Sequence, residues 1–198
     1  MATAIAPDAP KRAGLTYEEW RKTPVTSERK EVVKGELINL AAPTPPHQWL
    51  LLRLARLLDD HAQIGRRGIV LPAPVDVVIR REPRLQVRQP DIVYWELART
   101  GFSSVQAFLK SGMEIAPDLA VEFLSPGEPR RTLSGKLTDY ASIAIPEVWL
   151  VAADSKSVEV LRLAGDGYAR DGLFRSGDTV QSIVLGPLDV RVDQLFEQ

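Results

Sequence analysis

Two carboxylates interrupt apolar segments that otherwise have the composition of buried β-strands. Asp91 lies within residues 90–95 and Glu122 within Leu119–Leu124, where Val, Ile, Leu and aromatic residues surround each acid. An unpaired carboxylate is costly to bury, so such a group is normally neutralised, paired with a cation or bound to a metal ion. Lys136 follows on a segment with a helical pattern. Two strand acids and a nearby lysine are the residue types that metal-dependent hydrolysis of a phosphodiester requires.

Strand geometry distinguishes between the candidate acids. Asp118 also follows a proline and lies four residues before Glu122, on the same face of the predicted strand. Because a strand rises about 3.3 Å per residue, these two carboxylates would be roughly 13 Å apart and could not share one ion. Asp91, on an adjacent strand, can reach Glu122. We therefore predict a metal site at Asp91 and Glu122. The alternative, that each acid is a salt-bridged core group or a turn residue at a strand end, stays open.

Apolar periodicity predicts the elements that must position these residues. It indicates one α/β domain with a central mixed β-sheet flanked by helices, preceded by a disordered N-terminal arm. The arm spans residues 1–14 and the domain residues 15–198. The predicted helices span 16–21, 44–64, 104–110 and 130–141, with Thr16 and Thr44 as N-caps. The predicted strands span 31–40, 69–71, 75–80, 85–87, 91–95, 119–124, 148–152 and 158–163, followed by a glycine-rich β segment to 190.

Composition limits the class of protein. With 198 residues and 44% hydrophobic content, the chain can bury one substantial core. No apolar run approaches the ~20 residues of a membrane-spanning helix, and the N-terminal segment lacks the pattern of a signal peptide. The absence of cysteine excludes disulfides and thiolate metal sites. We expect a cytoplasmic protein with no membrane partner.

Arginine is concentrated in one stretch of a chain whose net charge is −1. Between residues 61 and 90 two acids are outnumbered by six arginines, namely Arg66, Arg67, Arg80, Arg81, Arg84 and Arg88. The planar guanidinium suits phosphate oxygens, so we predict that Arg81, Arg84 and Arg88 contact DNA. The alternative is that these arginines are solvated charges on a β-hairpin that discourage edge-to-edge pairing.

The chain resembles a known family, the Uma2 restriction endonucleases of the PD-(D/E)XK nuclease superfamily. The resemblance covers residues 17–196, and it is carried by Gly35-Glu36-Leu37, His47, Pro90-Asp91, Val121-Glu122-Phe123-Leu124-Ser125-Pro126, Lys136, Tyr140 and Glu147-Val148-Trp149-Leu150-Val151. It implies a restriction-endonuclease-like fold, a metal ion on Asp91 and Glu122, and Lys136 as the active-site lysine. The superfamily pattern places that lysine two residues after the Glu, where this chain has Leu124.

Two further residues are candidates for the same site. His47 would contact a phosphate or orient a carboxylate, as the resemblance suggests, or it is a partly buried histidine satisfied by a neighbour. Glu36 would be a third acid reached across the sheet, or a solvent-facing residue of a hairpin. Lys136 itself has the alternative of a solvated helix residue.

The chemistry expected is hydrolysis of DNA phosphodiester bonds with magnesium or manganese, because carboxylate oxygens suit these hard ions. Lys136 would orient the attacking water or offset developing negative charge. Family analogy suggests a homodimer, since two sites related by a two-fold axis can cut both strands.

Two alternatives to this function stay open. Thr132 and Leu124 depart from the family pattern and favour a degenerate protein that binds DNA or a protein partner without cleaving. A small-molecule metallohydrolase is the other.

Overall fold

The computed structural model describes residues 14–24, 26–111, 114–124 and 130–196, so residues 1–13 of the predicted arm lie outside the described residues. The helices are α1 (Tyr17–Arg21), α2 (Pro45–Gln63), α3 (Leu97–Thr100), α4 (Val105–Ser111), α5 (Arg130–Ser142) and α6 (Val192–Phe196). The strands are β1 (Lys30–Val33), β2 (Glu36–Asn39), β3 (Gly68–Pro72), β4 (Val77–Arg80), β5 (Gln86–Arg88), β6 (Ile92–Glu96), β7 (Leu119–Leu124), β8 (Glu147–Ala152), β9 (Ser157–Ala164) and β10 (Gly167–Phe174).

The predicted mixed sheet is confirmed as a six-stranded sheet in the order β10-β9-β8-β7-β6-β3. β7 and β8 are parallel, and the remaining neighbours are antiparallel. Successive strand residues point to opposite faces of the sheet, so each central strand contributes side chains to two hydrophobic cores, one on each face. On one face, Val121 packs with leucines of α2; on the other, Ala120 packs with Phe108 of α4 and Tyr140 of α5.

A second, four-stranded antiparallel sheet in the order β2-β1-β5-β4 was not predicted as a separate layer. The segment predicted as one strand over 31–40 is a hairpin, because Lys34 and Gly35 form a two-residue turn with positive φ angles of 53° and 83°. Leu15 N donates to the Gly35 carbonyl at 2.7 Å and ties the start of the domain to this turn.

Helix α2 begins as its sequence predicts. The Thr44 hydroxyl accepts from His47 N at 3.4 Å, and two prolines occupy the first turn, where their missing N–H groups cost nothing. This start places His47 at the end of the helix nearest the acids of the central strands. Within the described part of the chain, each helix is too short or too polar to cross a lipid bilayer.

Candidate active site

The register of β6 and β7 brings Asp91 and Glu122 to the same region of the sheet. Ile92 lies opposite Val121, and the backbone N–H of Asp91, just before β6, donates to the Val121 carbonyl at 3.0 Å, next to Glu122. Both acids are buried, at 3% and 4% exposure. The Asp91 carboxylate also accepts from the backbone N–H of Phe123 at 2.8 Å, which fixes it against the neighbouring strand.

Helix α5 supplies two donors to Glu122. Lys136 Nζ lies 2.6 Å from Glu122 Oε2, and the Tyr140 hydroxyl donates to Oε1. The two donors are four residues apart and therefore share one face of the helix. Tyr140, which its apolar surroundings mark as a core aromatic, thus contributes its hydroxyl to the site while its ring packs in the core.

The electrostatics of this pair follow from burial and neighbouring charge. Burial raises the pKa of Glu122 to about 7; the Lys136 ammonium opposes that shift and the charge of Asp91 adds to it. Burial alone would lower the pKa of Lys136, but the charges of Glu122 and Glu31 outweigh it and the pKa is raised. The pKa values of both members are therefore raised, and the raised pKa of Lys136 keeps that side chain an ammonium.

Asp91 has a different set of partners. Arg29 donates to Asp91 Oδ1 at 2.7 Å, and His47 Nε2 lies 3.5 Å from the same oxygen. Burial alone would raise the pKa of Asp91, but His47, the Arg29 charge and the Phe123 N–H together hold it below its usual value. The His47 ring packs against Phe123, with centroids 5.2 Å apart. The structure therefore places His47 beside Asp91, and adds Arg29, which the sequence did not single out.

The acid contributed by the first hairpin is Glu31 and not Glu36. Glu36 is exposed on β2, and no hydrogen bond or ion pair found among the described residues joins it to Asp91 or Glu122. Glu31 is 2% exposed, and its Oε1 lies 3.9 Å from Lys136 Nζ. Glu36 lies away from these acids because the chain reverses at Lys34 and Gly35, which turns β2 to the outer edge of its sheet. A two-residue turn ending in glycine was the signal that could have revealed this hairpin.

Arg88 is not available to DNA as the sequence led us to expect. It is 7% exposed; it donates to Glu31 Oε2 at 2.6 Å and to Asp139 Oδ2 at 2.7 Å. The physical reason is its place on β5, an inner strand of the four-stranded sheet. Arg81 is exposed but pairs with Glu114, and its guanidinium lies over the Tyr17 ring. Arg84 is exposed at the tip of the β4–β5 hairpin.

These residues form one charge cluster, buried except for the partly exposed Arg29 and Asp139, which we define as Arg29, Glu31, Arg88, Asp91, Glu122, Lys136 and Asp139. Its four carboxylates face three cationic groups, so with all groups ionised it carries one net negative charge. Asp91 pairs with Arg29 and Glu122 pairs with Lys136. Salt-bridged core acids were the alternative to a metal site that the sequence left open. Within the described ranges, no three His, Cys, Asp or Glu side chains are grouped as a metal site.

The donor chemistry nonetheless fits a hard divalent ion. Asp91 and Glu122 offer carboxylate oxygens on adjacent strands, and such oxygens are the ligands that magnesium and manganese prefer. Arg29 and Lys136 now neutralise these oxygens, so an ion would compete with both cations. Arg29 also borders an open cleft of about 350 Å³, lined by residues 27–29 and 39–43. The cleft brings solvent close to Asp91.

Comparison with known proteins identifies the family and the fold. A family model described as "Uma2: Putative restriction endonuclease" matches residues 16–192, which confirms the resemblance. A crystal structure of a "putative nuclease belonging to DUF820" from Anabaena variabilis superposes with a TM-score of 0.72 at 18% identity, covering 92% of this chain and 97% of that chain. This likeness confirms the nuclease-type fold. No curated protein matches the sequence.

Proposed function

The chain belongs to the Uma2 family of restriction-endonuclease-like proteins, and on that premise we propose that it is a metal-dependent endonuclease acting on DNA phosphodiester bonds. The observation that carries the proposal is the contact of Lys136 with Glu122, at 2.6 Å, near a second buried carboxylate, Asp91, which directly precedes the neighbouring strand β6. Two acids and a lysine in one buried site match the residue types that this chemistry needs.

Each residue would have a distinct role in hydrolysis. Asp91 and Glu122 would hold magnesium or manganese, which when bound polarises a phosphate and lowers the pKa of a water molecule. Lys136 would orient the attacking water or offset the negative charge that develops on the phosphate. His47, 3.5 Å from Asp91 Oδ1, would orient that carboxylate. Arg29 would leave Asp91 for a phosphate oxygen once the carboxylate is engaged by an ion.

DNA is the proposed partner, and the β4–β5 hairpin is the proposed contact. Arg80 and Arg84 are exposed there, whereas Arg88 at its base is buried and is excluded from the contact. Strand β5 belongs to the hairpin and to the buried cluster alike, so the hairpin lies beside the site. We also propose a homodimer, because cutting both strands of a duplex is simplest with two sites related by a two-fold axis.

The second candidate function is binding without cleavage. It is favoured by the ion pairs of Asp91 with Arg29 and of Glu122 with Lys136, which satisfy both acids without a metal ion. In this case the protein would retain DNA in the presence of divalent ions and leave it intact.

Cleavage of supercoiled plasmid separates the two functions. The assay is run with magnesium, with manganese and with a chelator, on the wild type, Asp91→Asn and Glu159→Gln. Glu159 is a matched control because it is also a strand acid with an arginine partner, Arg170 at 2.5 Å, on β9 near the other edge of the sheet. We expect nicking by the wild type and Glu159→Gln only when a divalent ion is present.

Asp91→Asn should lose cleavage by a factor of about 100 or more, since a neutral amide holds a divalent ion poorly. Plasmid that stays supercoiled with every ion, while a mobility shift shows that DNA is bound, would instead establish the non-cleaving function. Equal cleavage by Asp91→Asn and the wild type would remove Asp91 from the site.

A further inference from the structure

The ammonium of Lys136 lies between two carboxylates that come from different sheets. Nζ is 2.6 Å from Glu122 Oε2 on β7 and 3.9 Å from Glu31 Oε1 on β1. Lys136 is 7% exposed, so water contributes little to its solvation. The shorter contact is an ion pair with hydrogen-bond geometry, and the longer one is a second, looser anionic neighbour.

Glu31 is held firmly in this place. Its Oε2 accepts from Arg88 at 2.6 Å, and its Oε1 accepts from the backbone N–H of Gln89 at 3.2 Å. Arg88 is itself fixed by Asp139, at 2.7 Å. Glu31 therefore presents a charged oxygen to Lys136 from a position set by two other contacts, and it can accept from the ammonium without moving far.

We propose that Glu31 is a positioning residue that takes over the Lys136 ammonium when Glu122 binds a divalent ion. The inference deepens the proposed function and rests on its metal site. A divalent ion at Glu122 would use the same oxygens as Lys136 and would repel the ammonium. Burying an ammonium without a neighbouring anion is unfavourable, because nothing offsets the loss of its hydration. Glu31 supplies that anion, so the lysine stays charged and close to the reacting phosphate.

A purely structural role is the competing explanation, because Glu31 also ties β1 to β5 through Arg88. The two roles differ in their dependence on Lys136. If Glu31 acts by receiving the ammonium, its removal matters only while the ammonium is present. If Glu31 only stabilises the sheets or attracts cations by its charge, its removal has the same effect with or without Lys136. A double-mutant cycle measures this difference.

The experiment measures the dissociation constant for manganese by calorimetry in the wild type, Glu31→Gln, Lys136→Met and the double variant. We expect Glu31→Gln to weaken manganese binding about tenfold in the wild-type background, a coupling typical of groups in direct contact. In the Lys136→Met background the same change should alter binding less than about twofold. Glu36→Gln, on the exposed strand of the same hairpin, is the matched control and should bind as the wild type does.

Near-ultraviolet circular dichroism checks that each variant is folded. If Glu31→Gln does not fold, Glu31→Asp takes its place, since it keeps the charge but shortens the reach to Lys136. Its smaller loss of manganese affinity should also disappear in the Lys136→Met background.

The outcomes separate this inference from the proposed function. An equal loss of manganese affinity in both backgrounds, or no loss in either, overturns the role of Glu31 and leaves the nuclease proposal standing. The expected coupling in a protein that leaves plasmid uncut supports the role of Glu31 and overturns the nuclease. A wild type that binds no manganese overturns both.

Discussion

At the scale of single residues, the site is a set of buried charges that depend on one another. Asp91, Glu122 and Lys136 are each less than a tenth exposed, and each is within hydrogen-bond distance of an oppositely charged group. Removing one member of such a pair leaves a buried charge without a partner. Substitutions here therefore report on stability and on chemistry, and the two effects have to be measured separately.

Lys136→Met should greatly slow cleavage without abolishing binding of the metal ion. In the proposed mechanism the lysine acts on water or on the transition state, so its loss should slow cleavage by about 100-fold, as removal of one electrostatic stabiliser does. Manganese binding should persist, since a cation that competes for Glu122 has been removed. Single-turnover plasmid cleavage and calorimetry measure the two quantities. Lys110→Met, on the exposed end of α4, is the control. Cleavage at the wild-type rate would remove Lys136 from the mechanism.

Arg88→Met should destabilise the protein strongly. It leaves Glu31 and Asp139 without their shared guanidinium, and breaking a buried pair costs about 3–5 kcal/mol of unfolding free energy. Arg84→Met, at the exposed tip of the same hairpin, should change it by less than about 0.5 kcal/mol. Urea denaturation of both variants measures the difference. Similar midpoints for the two would mean that the buried contacts of Arg88 contribute little.

At the scale of elements, the position of the acids depends on how closely β3 approaches β6. Gly68 of β3 lies opposite Glu96, and an added Cβ would overlap the Tyr94 ring and lie 2.5 Å from the Trp95 carbonyl oxygen. Only glycine permits this approach. Asp91 directly precedes β6. The packing of β6 against β3 therefore also determines where the Asp91 carboxylate lies.

Gly68→Ala should therefore cost about 1–3 kcal/mol of unfolding free energy, the range for overpacking a closely packed contact. Gly167→Ala is the matched control, because Gly167 also begins a strand and an added Cβ there meets nothing within 4 Å. Its effect should stay below about 0.5 kcal/mol. Urea denaturation checks both values. If Gly68→Ala has the same unfolding free energy as the wild type, β3 can shift away from β6 without loss of stability.

At the scale of the whole molecule, a net charge of −1 means that the proposed DNA partner would have to be bound by a local surface. The exposed arginines of the β4–β5 hairpin offer such a surface. We expect Arg80→Gln with Arg84→Gln to weaken DNA binding and to reduce the log–log salt slope by about 0.9 for each phosphate that the protein no longer neutralises. Fluorescence anisotropy over a range of salt concentrations measures the slope.

The control pair is Arg162→Gln with Arg170→Gln, which removes the same charge from β9 and β10 of the other, six-stranded sheet. It should leave the salt slope unchanged. A hairpin variant with the same slope as the wild type would instead indicate that Arg80 and Arg84 only protect the edge of the sheet from pairing.

The sequence by itself determined the features that depend on near neighbours along the chain. The start of α2 at Thr44, the apolar strand around Glu122 and the helix carrying Lys136 follow from capping residues and from periodicities of two and 3.6 residues. Glu122 and Lys136 are separated by 14 residues, so one strand-to-helix connection brings them together. This is why local patterns along the chain are enough to pair the strand acid with the helix lysine.

Only the tertiary structure decided which charges are buried and which partners they take. Arg29 and Asp91 are separated by 62 residues, and Glu31 and Arg88 by 57. The Glu31–Arg88 contact depends on the pairing of β1 with β5, and the Arg29–Asp91 contact on the approach of the residue before β1 to the residue before β6, which no local pattern encodes. Arg88 and the exposed Arg84 belong to the same arginine-rich stretch of sequence, but Arg88 lies on β5, an inner strand of its sheet. Burial is a property of the assembled layers, so the roles of Glu31 and Arg88 appear only when those layers meet.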